Sequence, residues 1–289
     1  MKVAPFDVSN LSKPGTALVM PGGGMRNAFA TGALIGADVR PINIDAVYCA
    51  SSSIIIAVLF AAGQLHDTIT LWRNYMIRPE VMSGKGLFAK ADMFRVAELC
   101  FNMIDMDAFE VSRTKVFTNV LCLETGETYS VEVTRDNFLE VVQTTASLPF
   151  VTPKVKWSDG LHYSDGAMHD NLPVFRACDA GYRRLLVVRN QPASYVMHHA
   201  SLFKRFLSYP SYPKARDAYT DRKRRFEASL DFIENPPEGV EVVMMLPDET
   251  TPATQMVRDP FAVIEAINLG KQIGERDKRK VRDLLLRPY

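Results

Sequence analysis

Apolar runs of two lengths alternate along this chain, separated by Gly, Pro, Asp and Ser. Residues 16–20 (TALVM) and 46–48 (AVY) are of strand length. Residues 54–62 stay apolar for too long to be one strand, and Gly63 closes them, which predicts a buried helix. A further helix is expected from Met25 to about residue 35, and others over 66–76, 91–103 and 136–146. Residues 114–123 and 127–133 alternate around Glu124-Thr125-Gly126, the pattern of a hairpin. Beyond them a short strand at 161–164, a helix at 173–181 and a strand at 184–189 follow in turn. Strand and helix in alternation argue for a largely parallel sheet covered on both faces.

After Pro192 the character changes. Residues 209–225 are basic and aromatic, 226–233 read as helix, 240–246 as a last strand and 261–274 as a helix. Residues 276–287 form a basic tail with a Leu284-Leu285-Leu286 cluster. Without repeats or low-complexity linkers, the expectation is one domain over 1–289, with a core of about 16–190 and an extension of about 191–289.

Composition adds bounds rather than an activity. The chain has 289 residues, 47% of them hydrophobic, enough for one large α/β core or a core with a helical annex. With 34 Lys and Arg against 33 Asp and Glu, a net charge of +1 gives no general reason to expect nucleic acid. The four cysteines are scattered without CxxC spacing in apolar surroundings, which suits free thiols in a reducing compartment. Residues 1–15 lack the apolar core of a signal peptide, so a cytoplasmic protein is expected.

Two stretches bear on chemistry. The first is strand 46–48, the serines Ser51, Ser52 and Ser53, and then the apolar helix. Strand, sharp turn with serine and buried helix is the layout of a nucleophile elbow, G-x-S-x-G. Here Cys49 and Ser53 occupy the glycine positions, and taken alone a serine-rich helix N-cap explains the stretch equally well. The second is Gly22-Gly23-Gly24 after strand 16–20, a loop whose backbone can approach a ligand and aim N–H groups at negative charge. Alone it fits phosphate or dinucleotide binding as well as an oxyanion hole. G-x-G-x-x-G is met only as far as Asn27, and no P-loop Lys-Ser/Thr follows.

A glycine triplet followed by x-Arg26, a serine elbow whose helix ends in Ala61-Ala62-Gly63-Gln64, and Asp165-Gly166-Ala167 followed by Asn171-Leu172-Pro173 together resemble the patatin-like phospholipases. The run Ala146-Ser147-Leu148-Pro149-Phe150 also matches. The similarity extends from about Thr16 to Gly270, and residues 212–248 resemble the C-terminal region of the bacterial branch.

The resemblance implies a three-layer α/β sandwich with a mostly parallel central sheet and a helical C-terminal annex. It implies a lipid acyl hydrolase with a Ser-Asp dyad and no cofactor, acting on a phospholipid or other fatty-acyl ester, with room for peripheral membrane contact. The alignment puts the nucleophile at Ser51 and the base at Asp165. Ser52 as nucleophile would set β-branched Ile54 in the tight turn. The backbone of Gly22, Gly23, Gly24, Met25 and Ser52 is expected to form the oxyanion hole, and Arg26 to orient the loop or an anionic head group. None of the five histidines sits where a triad demands it. Cys49 and Ser53 in the elbow, Pro21 for an acidic residue and Asn27 for a glycine depart from the pattern. They keep a second reading alive, a lipid-binding or scaffolding relative without catalysis.

Overall fold

A computed structural model describes residues 13–83, 90–149, 152, 154–199 and 207–286. The leader over residues 1–12, the expected Gly84-Lys85-Gly86 loop and Phe150 lie outside them. The strands are β1 (Lys13–Met20), β2 (Ala46–Ala50), β3 (Met82–Ser83), β4 (Lys90–Ala91), β5 (Lys115–Cys122), β6 (Thr128–Glu132), β7 (Val155–Lys156), β8 (His162–Asp165), β9 (Tyr182–Val188) and β10 (Glu241–Met245). The α-helices are α1 (Ala28–Gly36), α2 (Ser53–Ala61), α3 (Asp67–Thr70), α4 (Met93–Met103), α5 (Met106–Glu110), α6 (Phe138–Thr145), α7 (Val174–Asp179), α8 (Pro213–Glu234) and α9 (Pro260–Leu286).

The main sheet runs β10-β9-β1-β2-β5-β8-β7, parallel from β10 to β5 and antiparallel beyond, with β6 also antiparallel on β5. Alternate residues of each central strand sort onto two faces. Leu18, Met20, Val47, Cys49, Leu186 and Val188 join the core under α1, α2, α4, α6 and α9. Ala17, Val19, Ala46, Tyr48, Leu185 and Val187 join the core under α7 and α8, with Phe226, Phe232 and Ile233 opposite. Helix, sheet, helix is the three-layer α/β arrangement the alternation implied.

One register decides where chemistry can occur. Strand β5 pairs with β2 over residues 115–119, with β6 over 117–121 and with β8 over 120–122. The span of β6 overlaps the other two, so β2 and β8 must share the opposite edge of β5. They run head to head along it: Ala50 pairs with Asn119, and Asp165 with Val120. The residue after β2 is Ser51, so the end of one strand delivers a serine where the end of the other delivers an aspartate.

Several elements differ from expectation. The helix after the glycine loop starts as a 3-10 turn, Gly24–Asn27, before α1. The expected helix 66–76 splits into α3 and a π turn, Leu71–Tyr75, which carries Trp72. The basic tail is not separate: α9 continues unbroken to Leu286, because Asp277, Val281 and Leu284 along it are buried. Its contact with α1 is backbone to backbone. A Cβ on Gly32 would stand 1.9 Å from Ile267 O, and one on Gly270 2.1 Å from Phe29 O.

Gly32→Val should therefore destabilise the protein by about 3 kcal/mol, since no rotamer change can relieve a clash with helix backbone. Urea denaturation measures this. A cost below about 1 kcal/mol would mean that α1 and α9 do not meet as described.

Candidate active site

Ser51 stands between β2 and α2 with φ 55°, in the left-handed region. Apart from glycines, only Asp38 shares that sign of φ among the described residues. A serine held there costs on the order of 1–2 kcal/mol, which the surroundings must supply. They do so on both sides. The Ser51 N–H donates to Thr145 Oγ1 at 3.1 Å, and Thr145 is itself 3.0 Å from Thr118 Oγ1 and donates to Asn119 O. Ser53 Oγ donates to Ala50 O at 2.6 Å and accepts the Ala50 N–H at 3.2 Å.

The residues at the elbow's glycine positions thus have a physical role. Neither Cys49 nor Ser53 has positive φ, and both are fully buried, so what their positions demand is small volume. The strain rests on Ser51, not on the substitutions. Burial pushes the Cys49 thiol up to about 12, which leaves it a poor rival nucleophile.

Asp165 caps a 3-10 turn, Gly166–Met168, and its Oδ1 accepts the Ala167 N–H at 2.8 Å. The carboxyl is fully buried, and burial raises its pKa from 3.8 to about 7, against opposing pulls from the Ser51 hydroxyl and the Ala167 N–H. No hydrogen bond of ordinary geometry reaches Oδ2 among the described residues, while the Ser51 hydroxyl stands near enough to the carboxyl to lower its pKa. Gly166 lies against the backbone of Asn119, 2.4 Å from where its Cβ would be, so only glycine allows the turn to sit on β5.

The glycine loop closes the third side. A Cβ on Gly22 would stand 2.9 Å from Ser51 Cβ and 2.9 Å from Ala167 Cβ, so this backbone packs directly over the serine and over the turn that follows Asp165. The loop is fastened by Asn27, the residue that departs from the glycine pattern. Its Nδ2 donates to Pro21 O at 3.1 Å and to Ser52 Oγ at 2.8 Å, and its Oδ1 accepts from Asn190 at 2.6 Å. Ser52 Oγ in turn donates to Gly24 O at 2.9 Å, so its hydroxyl is committed to the loop.

Not every expected N–H donor is free. Gly22 donates to Asn171 O and Met25 to Gln255 O. The N–H groups of Gly23, Gly24 and Ser52 carry no protein partner among the described residues. Arg26 does not line the Ser51 cleft; it lines a separate pocket of about 320 Å³ with Arg189, Asn190 and Gln191. With its amide oxygen turned toward it, Gln191 accepts from Arg26 Nη1 at 3.1 Å.

The histidines are engaged elsewhere. His162 Nδ1 is 2.8 Å from Glu124, and His169 Nδ1 2.8 Å from Thr128 Oγ1. His66, His198 and His199 are exposed. Among the described residues no cluster of His, Cys, Asp and Glu could hold a metal ion, and no helix is long and apolar enough to cross a membrane.

A cleft of about 650 Å³ opens at Ser51, walled by Ile54, Ile55, Trp72, Met76, Val96, Val142 and Leu148. Trp72 and Val96 are buried, and the Trp72 N–H is satisfied by Thr31 Oγ1 at 3.0 Å, so the interior offers hydrocarbon rather than hydrogen bonds. Thr145, Asn190 and Gln255 were not singled out from the sequence, and Asn27 was noted only as a departure from the glycine pattern. Thr145 directly precedes the Ala146–Phe150 run, which was the one local signal for it.

Known proteins agree with this architecture. The chain resembles VipD of Legionella pneumophila in structure, with a TM-score of 0.56 at 12% identity over 93% of this chain and 67% of that one, a likeness of fold. It is 23% identical over 143 residues to the uncharacterized protein YjjU of Escherichia coli K12, spanning 49% of this chain and 40% of that relative. Residues 212–286 match a domain of unknown function, DUF6363. Residues 18–177, more than half the chain and the part holding the glycine loop, Ser51 and Asp165, match the patatin-like phospholipase model, and the chain belongs to that family.

Proposed function

We propose that the protein is a lipid acyl hydrolase that cleaves fatty-acyl esters through a Ser51 acyl-enzyme, with Asp165 as the sole base. The observation that carries this is the placement of Ser51, at φ 55°, against a fully buried carboxyl with a pKa near 7. A carboxyl of that pKa is ionised often enough at neutral pH to take a proton and basic enough to hold it.

The substrate's acyl chain lies in the apolar cleft and its ester carbonyl over Ser51. Asp165 takes the hydroxyl proton as Oγ attacks the carbonyl carbon. The developing oxyanion meets the N–H groups of Gly23, Gly24 and Ser52, at the N-terminus of α2. Collapse of the adduct expels the alcohol, which leaves with the proton from Asp165. Water then attacks the acyl-enzyme, Asp165 takes its proton, and the fatty acid departs as Ser51 recovers its hydrogen. No step calls for a metal or organic cofactor. Substrates of this kind lie at membrane surfaces, and peripheral contact there is part of the proposal, as is a cytoplasmic location.

A fluorophosphonate probe should label the wild type at Ser51, seen by mass spectrometry, and label Ser52→Ala at a reduced rate. It should not label Ser51→Ala. Failure to label the wild type would favour the lipid-binding reading without catalysis.

Turnover of a chromogenic ester should fall by at least about a hundredfold in Asp165→Asn, while each single histidine substitution has far less effect. The same variant tests the burial cost. Asp165 has a raised pKa when folded, so ionising it opposes folding, and wild-type stability is lost as pH rises from about 4 to 7. At pH 8 Asp165→Asn should be the more stable protein, by roughly 4 kcal/mol at most, with the gap closing below pH 4. Thermal melts at both pH values read this directly, and an Asp165→Asn protein less stable at pH 8 than at pH 4 relative to wild type would contradict it.

Thr145→Val removes the acceptor for the Ser51 N–H and leaves that donor buried, a loss of about 1–3 kcal/mol. Activity should fall with stability, since the same bond holds the elbow. A variant that melts and turns over like wild type would remove Thr145 from the account.

A further inference from the structure

The residues matched to a domain of unknown function reach the site itself. Between β10 and α9 the chain forms a loop, and Gln255 and Met256 on it line the same cleft as Ser51. Gln255 O accepts the Met25 N–H at 3.1 Å. Gly24, at φ 58°, comes so close to that carbonyl that a Cβ would stand 2.3 Å away. The loop is therefore in backbone contact with the segment that presents the free N–H groups of Gly23 and Gly24.

The loop is also held from behind. Thr251 and Ala253 are buried, and Thr251 Oγ1 donates to Ala253 O at 3.1 Å. Asp248 accepts from Arg276 of α9 at both carboxylate oxygens, each at 2.9 Å. Helix α9 is locked to α1 through glycine-to-backbone contacts at Gly270 and Gly274. A further tie runs from α8, where Arg225 donates to the buried Asp170 at 2.9 Å, five residues after Asp165. The C-terminal region thus braces both the glycine loop and the aspartate turn.

Met256 is the exposed part of the cleft lining. It is 36% exposed, while Trp72 and Val96, which line the same cleft, are buried. An unbranched thioether at an apolar rim adapts its shape to a flexible hydrocarbon.

We propose that the C-terminal region supplies the lip of the acyl cleft: Gln255 keeps the glycine loop in register with Ser51, and Met256 determines how long an acyl chain the cleft accepts. This rests on the acyl-hydrolase reading for its substrate class, and deepens it. A region without assigned role becomes a specificity element.

The test uses the full chain with Met256→Trp, which fills the mouth, and Met256→Ala, which widens it. Cis-parinaric acid binding is followed by fluorescence in a Ser51→Ala background, and butyrate and palmitate p-nitrophenyl esters are compared in the active background. Met256→Trp should weaken parinarate binding and lower the palmitate-to-butyrate ratio of kcat/KM, each by about tenfold or more. Met256→Ala should move that ratio the other way. Wild-type affinity and an unchanged ratio in both variants would overturn the proposal, as would failure of the parent Ser51→Ala protein to bind parinarate. If the wild type hydrolyses no ester, the functional reading fails while the parinarate affinities still decide the role of Met256.

Discussion

The site depends on a single shared strand edge. Because β2 and β8 meet head to head along β5, Ser51 and Asp165 come together although 114 residues separate them in the chain. Everything else serves that junction. Thr145 takes the Ser51 N–H, Gly166 lets the aspartate turn rest on Asn119, and the glycine loop lies over Ser51 and Ala167. A parallel sheet alone would send its strand ends to the same rim but would not turn one strand back to face another. The antiparallel β8 does this.

In the proposed reaction, burial sets the chemistry. An exposed aspartate would be ionised at neutral pH but too weak a base to hold the serine proton. A carboxyl in a dry site is both harder to ionise and more basic, and the two meet near neutrality. The same burial costs stability, as does the left-handed Ser51. The fold carries both costs through the dense core around α2, whose residues are all buried, and through the backbone contact of α1 with α9. Strain and core are parts of one arrangement: the core holds what the site needs held.

Much of this was legible locally. The strand-turn-helix stretch around Ser51, the glycine triplet and the Asp165-Gly166 turn are each carried by a few adjacent residues, so pattern and family resemblance found them. The supports were not, because they act across long separations. Thr145 lies 94 residues from Ser51, and Asn190 lies 163 from Asn27. Asn27 looked like a lost glycine and is instead the hub joining loop, elbow and β9 end. The last turns of α9 looked like a charged tail because only Asp277, Val281 and Leu284 among them are buried. Met25 looked like an oxyanion donor, but its N–H is taken by Gln255, a partner 230 residues away.

The central claim is that one buried carboxyl, and no histidine, activates Ser51. The rate of fluorophosphonate modification of Ser51 as a function of pH tests it most directly. The account predicts that the rate rises through a single inflection near pH 7, the pKa of Asp165, and that the inflection survives replacement of His162 and His169 together. A rate that is flat from about pH 5 to 9, or an inflection that disappears with those histidines, would contradict it.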